Sequence, residues 1–254
     1  MAICMAHRLP RIFRITLTAM TDRERELQGA LDAHRTLLAR LDTIDDDQVS
    51  RASLLPGWTV GHVLTHIARN ADGLCNLLNW AATGEKTLMY ASDEARDADI
   101  AAGAGRSPQE IRADVVATSD RLADVVRALP QKAWQATVTA RGRDMVASGI
   151  PWMRAREMWI HAVDLDVGAS FADMPAPMLA ALLAEVPADM AAKPGCPALV
   201  LQDGDASWRV DGEGTPVVVT GATAELAAWL LGRSKGKELR ADGQRRLPKL
   251  PAWR

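Results

Sequence analysis

The sequence of 254 residues has little cysteine and no long hydrophobic segment. Its three cysteines, Cys4, Cys75 and Cys196, lie far apart and form no Cys-x-x-Cys pair. An odd number of separated cysteines indicates a reducing compartment and no disulfide framework. No stretch approaches the ~20 apolar residues that a membrane-spanning helix needs. We therefore expect a cytoplasmic protein without a membrane span.

The sequence also lacks an excess of charge of either sign. Its 30 basic and 32 acidic residues give a formal net charge of −2, so we expect neither nucleic acid nor an anionic membrane as a partner. It contains no Gly-rich phosphate loop, no Ser-His-Asp order and no His-Glu-x-x-His, which argues against nucleotide-binding proteins, serine hydrolases and metalloproteases. The sequence does not indicate an oligomeric state.

Helical patterns dominate up to about residue 170. Apolar spacing predicts helices over 21–41, from Thr59 towards Trp80, from Ser107 to Pro130, and after Ile150, with a shorter one from Ser92 to Ile100. A small hairpin or an irregular loop is expected over 134–146. Because the residues after Met20 open a good helix, a translation start at Met20 is the alternative to Met1.

The composition changes after Gly168, where prolines cluster around short β-type runs. These runs cover 198–202, 208–210 and 216–220, and helices are expected near 177–185 and 223–231. We therefore predict an α+β protein with a helical bundle over 20–170 and a small α/β domain over 171–254.

Two helical segments carry residues of the kind that bind metals. Glu157 and His161 are four residues apart, ~40° around a helix, and their apolar neighbours predict burial. A buried Glu is rare unless it is paired or metal-bound. His62 and His66 have the same spacing on another apolar helix, and either imidazole would complete a His₂Glu site. Zinc suits these ligands, and Fe, Mn, Ni or Co fit them as well.

Three further residues near these segments have structural and functional interpretations. Asp164 shares a helical face with Glu157 and either orients a ligand imidazole or forms a cap or a salt bridge near the helix end. Arg154 either meets an anionic substrate or pairs with Asp164 or Glu157. Cys75 is expected to be a small buried hydrophobe rather than a nucleophile.

Two longer segments resemble a known family. The segments LPGWTVGHVLTHIARNA (55–71) and WMRAREMWIHAVDL (152–165) are similar to the metal-binding segments of mycothiol-dependent maleylpyruvate isomerases, which belong to the DinB-like helical-bundle superfamily. Residues 74–85, Met89-Tyr90, AWLLGR (228–233) and the Pro-rich tail with Trp253 continue the likeness.

The resemblance implies a specific site and fold. It implies a zinc site made by His66, Glu157 and His161, and a catalytic Arg233 that reaches a substrate carboxylate. It also implies a DinB-like four-helix bundle followed by a smaller α/β domain, with the active site at their junction.

The resemblance further implies an isomerase of aromatic catabolism. Members of the family convert maleylpyruvate, a small dicarboxylate, to fumarylpyruvate in the gentisate pathway with a low-molecular-weight thiol as coenzyme. A thiolate that adds to the cis double bond leaves a single bond that rotates before the thiol is expelled, and zinc lowers the thiol pKa. Mycothiol is the thiol by resemblance, with ergothioneine and glutathione as alternatives.

Two other functions stay open on the same residues. The first is a DinB-like S-transferase that conjugates a thiol to an electrophile. The second is a non-enzymatic, metal-stabilised protein that binds an apolar ligand.

Overall fold

The computed structural model describes residues 36–37, 39–41 and 43–253. Both candidate translation starts and most of the helix predicted over 21–41 lie outside the described residues. The described residues of that helix, 36–37 and 39–41, are helical.

Five helices follow in the first part of the described chain. They are α1 (Asp46–Val49), α2 (Val60–Thr83), α3 (Asp93–Ala104), α4 (Pro108–Ala128) and α5 (Ile150–Asp164). Short 3₁₀ turns lie at Gln131–Gln135 and Ala147–Gly149.

Local chemistry explains where the two longest of the described helices begin. The Thr59 side chain accepts the backbone N–H of His62 and thereby caps α2. Ser107 caps α4 in the same way, with Pro108 in the first turn, and the Glu110 carboxylate accepts the backbone N–H of Ser107. Both helix starts were expected from the sequence, and both are confirmed.

Helix α2 lies at the centre of this part of the molecule and packs against α3, α4 and α5. Its contact with α3 is close because α3 carries Gly103 there: a Cβ at this position would lie 2.4 Å from Cγ2 of Thr65. This approach places the C-terminal end of α3 against the first turns of α2.

Strands β1 (Thr137–Ala140) and β2 (Arg143–Val146) form an antiparallel hairpin between α4 and α5. The sequence predicts either a hairpin or an irregular loop for this segment, and the structure has the hairpin.

The remaining chain forms a sheet with helices. After a 3₁₀ turn at Phe171–Asp173, the elements are α6 (Ala176–Ala191), β3 (Pro197–Asp203), β4 (Ala206–Val210), β5 (Glu213–Thr220), α7 (Thr223–Leu230) and β6 (Arg240–Ala241). Among the described residues the sheet order is β4-β3-β5-β6, with β3 and β5 parallel and the outer pairs antiparallel. Helix α6 is longer than the helix expected near 177–185, because Pro187 lies inside it rather than ending it.

The α+β class is thus confirmed, with helices first and a small sheet afterwards. The larger apolar core joins residues of both parts, such as Leu64 of α2, Leu182 of α6 and Leu199 of β3. The division at about residue 170 stays a prediction. None of the helices in the described residues combines the length and apolar character that crossing a membrane requires.

Candidate metal centre and its cavity

Helices α2 and α5 bring His66, Glu157 and His161 together. Oε2 of Glu157 lies 3.1 Å from Nε2 of His66 and 3.2 Å from Nε2 of His161. The two imidazole rings stand edge to face with centroids 4.7 Å apart. One ligand atom from each residue lies within 4.8 Å of the others. Two imidazoles and one carboxylate at this spacing fit a divalent metal with positions open for an external ligand.

The structure distinguishes His66 from His62. Nδ1 of His62 lies 2.8 Å from Oγ1 of Thr59, within the N-terminal cap of α2. His66 is one turn further along and is 5% exposed, with its Nε2 directed at Glu157. His62 therefore serves the helix end, and His66 is the imidazole that faces the pair on α5.

The three residues influence one another's ionisation. Burial alone would raise the pKa of Glu157, but hydrogen bonds from His161 and His66 outweigh it and hold that pKa well below its usual value. Burial lowers the pKa of His66 to about 4. Burial also disfavours the charged form of His161, yet hydrogen bonds to Asp164 and Glu157 raise its pKa to about 9. Without a metal, the Nε2 proton of His161 therefore compensates the Glu157 charge.

Asp164 connects His161 to the C-terminal part of the chain. Its Oδ2 lies 2.9 Å from Nδ1 of His161, and the carboxylate also accepts Nε–H and Nη2–H of Arg233, both at 3.0 Å. An ionised carboxylate only accepts hydrogen bonds, so Nδ1 of His161 carries a proton and Nε2 is the atom that can bind a metal. These contacts support both interpretations of Asp164, because it holds the imidazole of His161 and also forms a salt bridge with Arg233 at the end of α5.

A cavity of about 560 Å³ opens in front of the candidate metal ligands. Its apolar walls include Trp58, Met153 and Ile160. Among the described residues it is lined by one carboxylate, Glu157, and by five cationic side chains: Arg96, Arg141, Arg156, Lys193 and Arg233. Such a cavity favours an anionic ligand of small size.

Sequence reasoning missed Arg96, which lies close to His66. Its Nη2 is 3.4 Å from Nδ1 of His66, and its guanidinium stands 5.8 Å from the ring centroid of Tyr90. Burial raises the pKa of Tyr90, so its hydroxyl stays protonated near neutral pH. The likeness around Met89-Tyr90 marked this neighbourhood, but nothing in the local pattern of α3 separates Arg96 from a surface arginine.

Arg154 is not among the described residues that line the cavity, which speaks against a role in binding an anionic substrate there, whereas its pairing with Asp164 or Glu157 stays a prediction. Its guanidinium donates to the Ile67 carbonyl at 2.8 Å, to Oδ1 of Asn70 at 2.8 Å and to Oγ of Ser119 at 3.0 Å. It therefore ties α5 to α2 and α4. Cys75 is buried as expected, and burial raises its pKa to about 11, which disfavours a thiolate.

Comparison with known proteins gives one consistent result. The sequence model of the mycothiol maleylpyruvate isomerase N-terminal domain matches residues 30–166. Two solved structures are similar to the chain: a crystal structure of the mycothiol-dependent maleylpyruvate isomerase and one of its histidine-to-alanine variant. Each is 34% identical with a TM-score of 0.87, and the match covers 92% of this chain and 98% of the other. No curated protein sequence matches the chain.

Proposed function

Because the chain belongs to the mycothiol maleylpyruvate isomerase family, a family of enzymes, we propose that it converts maleylpyruvate to fumarylpyruvate with a low-molecular-weight thiol. Mycothiol is the thiol we propose, and Zn²⁺ is the metal. The observation that carries the proposal is the meeting of His66, Glu157 and His161 in a cationic cavity. This function suits a cytoplasmic protein, as we expect from the cysteine pattern.

The donor set matches the metal that the proposal needs. His66 and His161 each direct Nε2 at the same carboxylate oxygen, so small movements bring all three donors to one ion. A bound divalent metal would lower the pKa of a coordinated thiol and supply a thiolate at neutral pH. Asp164 would keep the proton on Nδ1 of His161 and leave Nε2 free for the ion.

Arg233 is placed to bind one carboxylate of the substrate. It lines the cavity, and its bonds to Asp164 and to the Leu231 carbonyl use three of its five N–H donors within the described part of the chain. Two donors therefore remain for a substrate carboxylate. Since Asp164 holds the guanidinium in place, the arginine would receive the substrate without rearranging.

Arg96 is our candidate for the second carboxylate. If Nε2 of His66 binds a metal, Nδ1 carries the ring proton and faces Nη2 of Arg96, which is also a donor. An acceptor within hydrogen-bonding distance of both nitrogens would satisfy both groups, and a carboxylate oxygen is such an acceptor. The substrate has a carboxylate at each end, so Arg96 and Arg233 together would hold it while its central bond rotates.

The proposal is tested by turnover. Protein loaded with Zn²⁺ is incubated with maleylpyruvate and with mycothiol, ergothioneine or glutathione in turn, and fumarylpyruvate is followed by chromatography. We expect product with mycothiol and a rise in KM for maleylpyruvate in both Arg96→Ala and Arg233→Ala. Absence of product with every thiol would refute the isomerase, and accumulation of a stable thiol adduct would favour the S-transferase. Unchanged kinetics in Arg233→Ala would remove that residue from the site.

A further inference from the structure

A second cavity, which we call the side groove, adjoins the metal cavity. It has a volume of about 750 Å³ and lies between the β1–β2 hairpin and helix α6, with α5 beneath it. The two cavities share Arg141, Met153, Arg156, Lys193 and Trp253. A ligand that occupies both is therefore continuous from the candidate metal ligands to the hairpin.

Positively and negatively charged side chains lie next to one another in the walls of the side groove. Nη1 of Arg143 on β2 lies 3.2 Å from Oδ1 of Asp189 on α6, across the groove. On the α5 side, Glu185 accepts the indole N–H of Trp152 at 2.6 Å and pairs with Arg156. Asp144 stands on the hairpin next to Arg143. The groove thus offers carboxylate acceptors and guanidinium donors side by side, together with two tryptophans, Trp152 and Trp253.

This arrangement suits a neutral ligand that is rich in hydroxyl groups. Each hydroxyl both donates and accepts, so neighbouring hydroxyls bind neighbouring carboxylate and guanidinium groups. In the side groove a strongly anionic ligand would meet three carboxylates, Asp144, Glu185 and Asp189, beside four cationic side chains, whereas the described residues of the metal cavity present one carboxylate beside five cationic side chains. The two cavities therefore differ in the ligands they favour: the first favours anions and the second favours polyols.

We propose that the side groove binds the polyhydroxyl portion of the thiol coenzyme. The inference rests on the proposed function. Mycothiol joins a cysteine-derived thiol to an amino sugar and an inositol, so it has a thiol at one end and a neutral polyol at the other. With the polyol between the hairpin and α6, the thiol extends past Arg156 and Trp253 to the metal ligands. The volume of the groove lies in the range of small-molecule sites, about 300–1,000 Å³.

The proposal predicts a selective loss of affinity for the complete coenzyme. In Asp189→Ala, the KM for mycothiol should rise about tenfold relative to the KM for N-acetylcysteine, which has the thiol but no polyol. Arg143→Ala should raise the KM for mycothiol relative to that for N-acetylcysteine as well. The Arg143 side chain is 80% exposed, so we expect this variant to fold like the wild type. Asp124→Ala is the matched control, because it removes an exposed ion pair with Arg127 and neither residue lines the groove.

Binding without turnover gives the second measurement. Calorimetry with the thiol-free glucosaminyl-inositol fragment should show binding to the wild type and a weaker signal in Asp189→Ala. No binding to the wild type, or equal KM changes for both thiols, would overturn the side groove as a polyol site. Because the fragment assay needs neither metal nor substrate, its result is independent of whether the protein isomerises maleylpyruvate.

Discussion

Replacing Asp164 by Asn should weaken both the fold and the metal site. Asp164 is fully buried and accepts hydrogen bonds from His161 and from two nitrogens of Arg233. Burial disfavours its charged form, but those bonds outweigh burial and lower its pKa, so the carboxylate is ionised near neutral pH. The amide has the same shape and no charge, which isolates the effect of the charge.

The expected loss of stability follows from the burial of Arg233, the partner of Asp164. The Arg233 side chain is 9% exposed, and removing one partner of a buried ion pair costs about 3–5 kcal/mol. The amide oxygen still accepts one bond, so we expect a loss of about 3 kcal/mol in the free energy of unfolding. For a chain of this size that corresponds to a fall in Tm of roughly 6–12 °C. Loss of the carboxylate behind His161 should also weaken metal binding about 10–100-fold.

Denaturant unfolding of the metal-free protein and a competition titration with a metal chelator measure the two effects. In a cycle with Arg233→Met, the double variant should lose less stability than the sum of the single variants, with a coupling of about 1–3 kcal/mol. Asp211→Asn removes an exposed pair with Arg209 and should change stability by no more than about 0.5 kcal/mol. Additive effects of Asp164→Asn and Arg233→Met, or full metal affinity in Asp164→Asn, would refute the reasoning.

Three further expectations concern pH, the choice of imidazole and helix packing. Because the pKa of His161 is raised from 6.5 to about 9, its protonation stabilises the metal-free fold fully below about pH 6.5, and that stability is lost as the pH rises through 9. A metal must displace this proton from His161, so the affinity for the metal should rise about tenfold per pH unit near neutrality. A metal affinity that stays constant when the titration is repeated at several pH values would contradict this. His66→Ala should lose metal binding, and His62→Ala should keep it; atomic emission measures the metal content of both. His62→Ala should also lose about 1 kcal/mol in the free energy of unfolding, because His62 belongs to the cap of α2. Gly103→Ala should cost about 1–3 kcal/mol in thermal unfolding, since its Cβ would lie 2.4 Å from Thr65, and an unchanged Tm would show that the helices move apart freely.

Features that depend on neighbours in the chain could be predicted from the sequence. The cap at Thr59 and the capping box at Ser107 use residues three positions apart, so their chemistry is visible in a short window. Glu157 and His161 share a face for the same reason. The choice of His66 came only from family resemblance, because spacing alone treats His62 and His66 alike.

Features that depend on packing between distant elements could not be predicted from local patterns. Arg154 and Arg156 alternate in one helix, yet the first is turned towards α2 and α4 while the second lines the cavity. The direction of each is set by the position of α5 among its neighbours. The contact of Asp164 with Arg233 joins residues 69 positions apart, and no periodicity reports it. Arg96 reaches His66 through the packing of α3 on α2, a contact that also brings Gly103 against Thr65.

Asp164 explains why the metal site depends on parts of the chain that supply no ligand. Its backbone carbonyl accepts the N–H of Leu54 at 3.0 Å, in the segment that leads into α2, while its side chain binds His161 and Arg233. One residue therefore joins the approach to the His66 helix, the second imidazole and the segment after α7. A displacement of the C-terminal part moves Arg233, changes the position of the Asp164 carboxylate and thereby turns the His161 ring. Since a ligand imidazole must point Nε2 at the ion, damage to this distant docking would weaken metal binding even where the three ligands are intact.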